Sequence, residues 1–474
     1  SDAADVAAAG DAARVAQRAW STVPVDRRAQ ILLNFHDLVL DRQAELLDLI
    51  QWESGKARKQ AFEEVAHVAM TARYYARRAQ RQLAPSRRLG VFPALTRVDV
   101  ARRPLGVVGI ISPWNYPLTM ALADGLPAVV AGNAVVHKPD SQSLVTALAG
   151  LDLLTEAGMP EEVWQVVHGD GAVVGPAVVD HADYVCFTGS TRTGRSVSSR
   201  AAERLIGTSL ELGGKNPMLV LRDADLDRAA EGAVRACFSS AGQLCVSMER
   251  VYVADQVYDR FMERFLGRVH AMRLSTEFDF SADMGSLVSQ AQLDTVTSHV
   301  EDARAQGATV LAGGRARPDI GPLFYEPTVL TDVHPGMTCF SNETFGPVVS
   351  VYRFADETDA VARANDGPYG LNASVYTRDG PRGRQVACRI RCGTVNVNEA
   401  YAASFGSVDA PMGGMGDSGL GRRQGPEGIL RYTQTQTVAT QRLLPMRPVL
   451  GLSEQGYAKA MTATLRLLKR LHRP

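Results

Sequence analysis

The sequence predicts an α/β protein that contains two doubly wound, Rossmann-like domains. Short apolar segments recur along the chain, and segments with helical spacing of apolar residues separate them. The 42 glycines and 23 prolines supply the turns that such an alternation needs. A length of 474 residues suffices for two or three domains of ordinary size, so each series of strands can form its own sheet.

The N-terminal region, residues 5–83, carries apolar residues at helical spacing. One such stripe comprises Ile31, Leu32, Phe35 and Leu38, with charged residues between its members. A period of three to four residues is typical of helices that bury one face. The sequence therefore predicts a helical layer before the first sheet begins.

The predicted strands fall into two series. Each strand of the first series is an apolar run that precedes Gly, Pro, Ser or Thr, and the second series begins after Pro217. Before the first series, residues 96–101 alternate in the manner of an exposed strand. The first series comprises residues 106–111, 134–137, 164–167, 184–187 and 209–212, and the second comprises residues 218–221, 251–253, 348–352 and 374–376.

Composition excludes several classes of partner. The 51 basic and 51 acidic side chains leave no net charge to attract nucleic acid, and six cysteines are too few for a disulfide framework. None of the cysteines stands in a zinc-site pattern, so we expect no metal and a reducing, cytoplasmic location. No run approaches about 18–20 apolar residues, so we expect no integral membrane segment. No apolar signal-peptide core follows Ser1, and a leader removed before Ser1 is the alternative.

Three motifs carry residues with catalytic chemistry. Cys245 follows a turn of small residues whose backbone amides favour a thiolate, although a lone cysteine is more often part of a core. Glu211 ends an apolar strand directly before a glycine pair, where the alternatives are a helix cap or an ion pair. Asn115 lies between Pro113 and Pro117, in a stiff turn that can aim an N–H donor or can be merely structural.

The combination of motifs is more specific than any one of them. The order and spacing of these motifs, together with 187–190 (Phe-Thr-Gly-Ser) and 343–347 (Glu-Thr-Phe-Gly-Pro), resemble the aldehyde dehydrogenase superfamily. The resemblance covers the chain as far as the segment at Tyr432. Within the superfamily, the sequence is most similar to succinate-semialdehyde dehydrogenases of an actinobacterial type.

The resemblance implies a role for each catalytic candidate. The Cys245 thiolate adds to an aldehyde, and Asn115 with the backbone N–H of Cys245 stabilises the oxyanion of the thiohemiacetal. After hydride transfer, Glu211 activates the water that hydrolyses the thioester. Because relatives that pass the acyl group to coenzyme A generally lack this carboxylate, Glu211 predicts a free acid as the product.

The resemblance also implies a nicotinamide dinucleotide site without a GxGxxG motif. Ser141 stands where many NAD-preferring relatives carry a glutamate, so we expect NADP to be preferred and Lys138 to meet its 2′-phosphate. The neighbouring Asp140 can restore some repulsion of the 2′-phosphate, so NAD is the alternative cofactor. The cofactor-binding positions that the resemblance implies are Trp114, Lys138, Ser141, Gly175, Ser190, Leu212, Glu343 and Phe345.

The implied substrate is succinate semialdehyde, yet the sequence departs from the family's pattern for it. Where relatives bind the distal carboxylate with arginines, this chain has 123–124 (Ala-Asp) and Ser239. Ser407 matches a serine that contacts that carboxylate, and Arg250 or Arg235 can supply charge unless they form surface ion pairs. The alternatives are a broad-specificity dehydrogenase for uncharged aliphatic or aromatic aldehydes, a non-catalytic binding protein, and a cysteine esterase.

The resemblance divides the chain into domains and implies a homodimer or homotetramer. Residues 96–103 and 432–440 match strands that pair across subunits in the family. The expected division is 1–92 with 107–212 for the dinucleotide, 213–410 for catalysis, 93–106 with 411–445 for the oligomerisation strands, and 446–474 for a C-terminal extension.

The C-terminal extension contains a predicted basic amphipathic helix over residues 458–474. Packing on a neighbouring subunit is the preferred interpretation, and contact with an anionic membrane surface is the alternative. Its apolar members are Met461, Leu465, Leu467, Leu468 and Leu471, and its basic members are Lys459, Arg466, Lys469, Arg470 and Arg473.

Overall fold

The computed structural model describes residues 1–91, 95–442, 445–449 and 451–470. The chain forms two compact units. The first comprises Ser1–Gln82 and Pro104–Tyr432, and the second comprises Leu83–Arg103 and Thr433–Pro474. All the predicted site residues belong to the first unit.

The helices begin with the predicted N-terminal layer, which α1 to α4 confirm. Capping fixes the first of them, because the Asp2 side chain accepts hydrogen bonds from the backbone N–H groups of Ala4 and Asp5. The helices are α1 Ala3–Trp20, α2 Val25–Asp41, α3 Gln43–Ser54, α4 Arg58–Leu83, α5 Pro117–Leu122, α6 Gly125–Val130, α7 Leu144–Glu156, α8 Gly171–His181, α9 Thr191–Glu203, α10 Leu226–Phe238, α11 Tyr258–His270, α12 Gln290–Ala305, α13 Thr338–Ser341, α14 Glu357–Ala364, α15 Gly380–Ala387, α16 Ala402–Phe405, α17 Gly425–Leu430 and α18 Glu454–Arg470.

The strands form three sheets, and every predicted strand is present, with bounds that differ by three residues at most. The strands are β1 Ser86–Arg88, β2 Thr96–Pro104, β3 Val107–Ile111, β4 Ala134–Lys138, β5 Trp164–Val166, β6 Tyr184–Thr188, β7 Gly207–Glu211, β8 Asn216–Val220, β9 Met248–Ala254, β10 Thr309–Ala312, β11 Thr328–Thr331, β12 Val348–Phe354, β13 Asn372–Tyr376, β14 Thr394–Val397, β15 Gly419–Leu420 and β16 Thr433–Gln441.

A six-stranded sheet in the order β15-β7-β6-β3-β4-β5 carries the first series. Its strands are parallel except for the antiparallel pair of β15 with β7. Their carboxyl ends lead directly into Asn115, Lys138, Ser190 and Glu211. Because ligands of open parallel sheets bind at the carboxyl ends of the strands, this edge is where a site is expected.

A seven-stranded sheet in the order β10-β11-β12-β9-β8-β13-β14 carries the second series. Its strands are parallel except for β10, which pairs antiparallel with β11. The prediction missed β10, β11 and β14, each of which is four residues long. Strands β10 and β14 are edge strands with partly exposed residues, so neither shows a clear apolar run or alternation.

The second unit contains a three-stranded sheet in the order β1-β2-β16 and the C-terminal helix α18. The exposed strand predicted at residues 96–101 is the first part of β2. Helix α18 runs from Glu454 to Arg470, whereas Leu471 and Arg473 of the predicted helix lie outside the described residues. Within the described part of the chain, no helix has both the length and the apolarity that a membrane crossing requires.

Candidate active site

Cys245 follows a strained turn at the end of α10. Ser240, Ala241 and Gly242 have positive φ values of 51°, 54° and 71°, and three successive left-handed residues are uncommon outside functional segments. A side chain at Gly242 would collide with the carbonyl of Gly346, so the turn requires glycine there. The turn leaves Cys245 partly buried rather than enclosed in the core.

Asn115 is hydrogen-bonded to the turn that carries Cys245. The buried Asn115 side chain donates from Nδ2 to the carbonyl oxygen of Gln243 at 3.0 Å. On its other side, the carbonyl of Cys245 accepts a 2.7 Å hydrogen bond from Asn216, the first residue of β8. The cysteine turn is thus held between residues from both large sheets.

Glu211 is the last residue of β7 and is 5% exposed. Its Oε1 atom has no hydrogen-bond partner among the described residues. Burial raises the pKa of Glu211 to about 7, and the positive charge of Arg423 opposes the shift. A carboxylate with a pKa near neutral can take up and release a proton at physiological pH, as a general base must.

The pKa of the Cys245 thiol is raised rather than lowered. Burial, and then the carboxylates of Glu211 and Glu343, raise its pKa to about 12. The prediction that backbone amides favour a thiolate is therefore wrong, since the backbone hydrogen bond lowers the pKa less than burial and the two carboxylates raise it. Deprotonation of the thiol needs a nearby base, and Glu211 is close enough to influence the thiol electrostatically.

A buried charge cluster lies beside Glu211. Asp124 is 3.0 Å from the guanidinium of Arg423 and 2.7 Å from that of Arg431. Although burial acts in the opposite direction, the two arginines hold the pKa of Asp124 below its usual value. The position at which the family resemblance implies a cation thus holds an anion that is already paired with two arginines. The sequence interpretation missed this cluster.

A cavity of about 840 Å³ opens at the carboxyl ends of β3, β4 and β6. Its walls include four of the predicted cofactor-binding residues, namely Trp114, Lys138, Gly175 and Ser190. Gly175 faces open space, and the Ser190 hydroxyl caps α9 by accepting from the backbone N–H of Thr193 at 3.3 Å. The cavity therefore combines a buried cation with a helix N-terminus, which are both features that bind phosphate groups.

Two more predicted cofactor residues, Glu343 and Phe345, lie between Trp114 and the loop after Glu211. The Glu343 carboxylate accepts from the backbone N–H of Gly214 at 2.8 Å, and burial raises its pKa to about 8. The ring of Phe345 meets Trp114 edge to face, with centroids 5.6 Å apart. These contacts join the segment of Glu343 and Phe345, which is predicted to bind the cofactor, to the loop after Glu211 and to Trp114.

The remaining predicted residues are less closely connected. Leu212 is buried against Gly194 of α9, where a larger residue at 194 would collide with it. Ser141 is exposed and does not line the 840 Å³ cavity. Ser407 is also exposed, and its hydroxyl donates to the carbonyl of Ala403 at 2.6 Å. The described contacts therefore do not bring Ser407 to Cys245.

Two buried lysine–glutamate pairs next to the site also escaped the sequence interpretation. They are Lys56 with Glu64 and Lys215 with Glu249, each separated by 2.5 Å. A signal for the first pair was available, because Glu64 falls on the apolar stripe of α4 where an exposed acid does not belong. Among the described residues, no group of three His, Cys, Asp or Glu side chains could hold a metal ion.

Comparison with known proteins places the chain in a family. The model of the family described as "Aldehyde dehydrogenase family" matches residues 1–438. A protein of Mycolicibacterium smegmatis with the name "Putative succinate-semialdehyde dehydrogenase [NADP(+)]" is 54% identical over 467 residues, which are 98% of this chain and 90% of that protein. A succinate-semialdehyde dehydrogenase [NADP(+)] of Escherichia coli is 37% identical over 429 residues, covering 90% of this chain and 88% of its own.

A solved structure agrees with the sequence relatives. The NAD-dependent aldehyde dehydrogenase of Sinorhizobium meliloti has a TM-score of 0.90 and 35% identity, covering 96% of this chain and 89% of its own. The turn that precedes Cys245 and both large sheets lie within the part of the chain that the family model matches. The chain belongs to the aldehyde dehydrogenase family.

Proposed function

We propose that this protein oxidises an aldehyde to a free carboxylic acid through a thioester on Cys245. The observation that carries the proposal is the convergence of three segments: the cysteine turn, the Asn115 segment bonded to it, and the Glu211 carboxylate. A nucleophile, an oxyanion donor and a base are the groups that acyl-enzyme chemistry needs.

The first step is proton transfer from the Cys245 thiol to Glu211, because the thiol pKa of about 12 leaves little thiolate at neutral pH. The sulfur then bonds to the aldehyde carbon. The resulting oxyanion accepts hydrogen bonds from the side-chain amide of Asn115 and from the backbone N–H of Cys245. A bound nicotinamide dinucleotide supplies the hydride acceptor for this reaction. Glu211 then releases the thiol proton to solvent, which leaves it ionised for the last step. There it removes a proton from water, whose oxygen attacks the thioester carbon, and the carbon–sulfur bond breaks as Glu211 returns that proton to the sulfur of Cys245.

NADP is the proposed dinucleotide. Lys138 is buried at the cavity and has no ion-pair partner among the described residues, so its charge is available to a 2′-phosphate. Asp140 lines the same cavity, and its carboxylate accepts a 3.0 Å hydrogen bond from the backbone N–H of Gln142, which engages one of its oxygens. The names of the mycobacterial and E. coli relatives also specify NADP, while the S. meliloti enzyme is named for NAD.

Succinate semialdehyde is the proposed substrate, on the names of the same relatives. Of the two arginines considered for its carboxylate, Arg250 donates to the carbonyls of Lys215, Arg363, Ala364 and Asp366 and has little capacity left. Arg235 is half-exposed and lines a second cavity together with Ser239. Its contacts with the carboxylates of Glu63 and Glu399 are both long, at 3.4 Å, so a substrate carboxylate can compete for it.

A second candidate substrate is an uncharged aldehyde. The cavity that Arg235 lines balances three carboxylates against three cations, so it offers no net positive charge to attract an anionic ligand. The carboxylates are those of Glu63, Glu231 and Asp283, and the cations are Lys59, Arg235 and Arg268. Arg235 would then serve only to balance its acidic neighbours.

Initial rates with succinate semialdehyde, propanal and benzaldehyde, each with NADP and NAD, test the proposal, with Cys245→Ala as the blank. A higher kcat/KM for succinate semialdehyde with NADP, which Arg235→Gln lowers selectively while propanal oxidation persists, is the expected result. Equal or better rates with uncharged aldehydes would favour the second candidate. Undiminished rates in Cys245→Ala would refute the thioester itself.

We further propose that β2 and β16, which contain the segments predicted to pair across subunits, support a homodimer or homotetramer. The support is the family match over residues 1–438 and the exposed character of β16, in which most residues are exposed. Light scattering of the full chain tests the assembly, and a monomeric mass at micromolar concentration would contradict it.

A further inference from the structure

A buried ion pair lies directly behind Asn115. The side chains of Lys56 and Glu64 are 2% and 0% exposed, and Nζ of Lys56 is 2.5 Å from Oε1 of Glu64. The same ammonium donates to the backbone carbonyl of Asn115 at 2.7 Å and lies 3.8 Å from the centroid of the Tyr116 ring. Its favourable directions are therefore filled by a carboxylate, a carbonyl and an aromatic face.

Glu64 holds the other side of the same segment. Its Oε2 atom accepts from the backbone N–H groups of Leu118 and Thr119, at 2.9 and 3.0 Å, in the first turn of α5. The two charged side chains thus fix the backbone at Asn115 and at the helix that follows it. Asn115 thus makes two described hydrogen bonds: its carbonyl accepts from Lys56, and its side chain donates to Gln243 of the cysteine turn.

Stability alone does not account for such a pair. Burial lowers the pKa of Lys56 and raises that of Glu64, and their mutual attraction opposes both shifts. Replacing a buried ion pair by apolar residues of similar volume is often neutral or stabilising, because desolvation offsets the attraction. What an apolar pair cannot do is bond to a carbonyl and two amides at once, and those three groups all belong to the segment of Asn115.

We propose that Lys56 and Glu64 are positioning residues that hold Asn115 where its side-chain amide meets the oxyanion formed on Cys245. The inference rests on the proposed function, in which Asn115 is an oxyanion donor. A displacement of about 1 Å in a positioned catalytic group costs on the order of 10²-fold in rate. The pair acts on the chemical step and leaves cofactor binding unchanged.

A double-mutant cycle between Lys56→Met and Asn115→Ala tests the proposal through kcat with a saturating aldehyde. Asn115→Ala is expected to lower kcat by about 10²–10³-fold and Lys56→Met by about 10²-fold. When Asn115 is already absent, Lys56→Met should cost less than about threefold more, because its effect operates through the missing amide. The KM for NADP should stay within about twofold in Lys56→Met.

Lys215→Met is the matched control, because Lys215 is equally buried and equally close to its glutamate but does not contact Asn115. Its effect on kcat, which should stay below about threefold, is expected to be the same with and without Asn115. If Lys56→Met does not fold, Lys56→Arg and Glu64→Gln replace it, with thermal midpoints and iodoacetamide alkylation of Cys245 as measures of an intact fold.

The possible failures are distinguishable. Equal losses from Lys56→Met with and without Asn115, or an altered KM for NADP in that variant, would overturn the positioning role. Wild-type kcat in Asn115→Ala would instead overturn the proposed function on which the inference rests.

Discussion

The two buried lysine–glutamate pairs flank the candidate site, and each one holds the backbone of a different segment in the same way. In each, the lysine Nζ is 2.5 Å from a carboxylate oxygen and both side chains are almost fully buried. In each, the glutamate also accepts from two successive backbone N–H groups. These donors are Leu118 and Thr119 for Glu64, and Thr344 and Phe345 for Glu249.

The difference between the pairs lies in what each segment carries. The Lys56–Glu64 pair holds Asn115, which is bonded to the cysteine turn. Glu249 holds the backbone next to Glu343, which lies on the predicted cofactor side. The same arrangement of a buried lysine and glutamate can therefore serve different functions on different segments. Loss of the Lys56–Glu64 pair is expected to alter kcat, whereas loss of the Lys215–Glu249 pair is expected to alter the KM for the dinucleotide.

The largest expected effect separates the two carboxylates of the site. Glu211→Gln should lower steady-state kcat by about 10²–10⁴-fold, because the amide cannot accept the proton of water. Glu343→Gln should mainly raise the KM for NADP, since Glu343 belongs to the cofactor segment. Initial-rate kinetics of both variants measure the contrast, and equal losses of kcat would abolish the distinction between the two sides.

The second effect concerns stability and should be similar for both pairs. Lys56→Met and Lys215→Met each leave a buried carboxylate without its partner, which costs about 3–5 kcal/mol in the free energy of unfolding. Thermal and urea unfolding at pH 7 measure the loss, with the exposed Lys59→Met as the control. A wild-type unfolding midpoint in either variant would contradict the buried ion pair described for that lysine.

A smaller effect sharpens the comparison on the cofactor side. Lys215→Met should raise the KM for NADP about tenfold and change kcat by less than about threefold, because Glu249 then holds the segment at Phe345 less firmly. The same assay on Lys56→Met provides the contrast. A tenfold change of kcat with an unaltered KM in Lys215→Met would contradict the assignment.

The smallest effect is a shift in pH dependence. Glu211 must be ionised to act as a base, so with its pKa of about 7 the rate should fall as the pH drops through 7. Since the charge of Arg423 lowers this pKa, Arg423→Gln should move the acid limb of kcat to higher pH. Surface Arg353→Gln is the control that should leave the limb in place, and an unshifted limb in Arg423→Gln would show that another group titrates.

Much of the fold was predictable because strand runs and helical stripes are local patterns. The strands that the sequence did not reveal are short: β10, β11 and β14 have four residues each, β1 has three and β15 has two. The order of the motifs also indicated which residues to inspect, and Asn115 does contact the Cys245 turn. The catalytic and binding roles of those residues stay predictions.

What the sequence could not reveal depends on burial and on distant partners. The pKa of Cys245 was expected to fall, yet it is raised, because neither its burial nor its proximity to Glu211 is encoded in the local turn. Lys56 and Glu64 are eight residues apart and act on a segment about fifty residues later, so only the tertiary fold reveals their target. Charged residues of this kind are ordinarily taken for surface ones.

The central claim is that Cys245 carries the acyl group and Glu211 releases it, and trapping in Glu211→Gln tests both at once. The variant is incubated with aldehyde and NADP until the absorbance of the reduced dinucleotide stops rising, and its peptides are then analysed by mass spectrometry. The account predicts that acylation is slower than in the wild type, because Glu211 no longer takes the thiol proton. It also predicts that the reaction stops at about one equivalent of reduced dinucleotide per active site, with the acyl group on the peptide that contains Cys245. Continued turnover at the wild-type rate, or an acyl group on another cysteine, would contradict it.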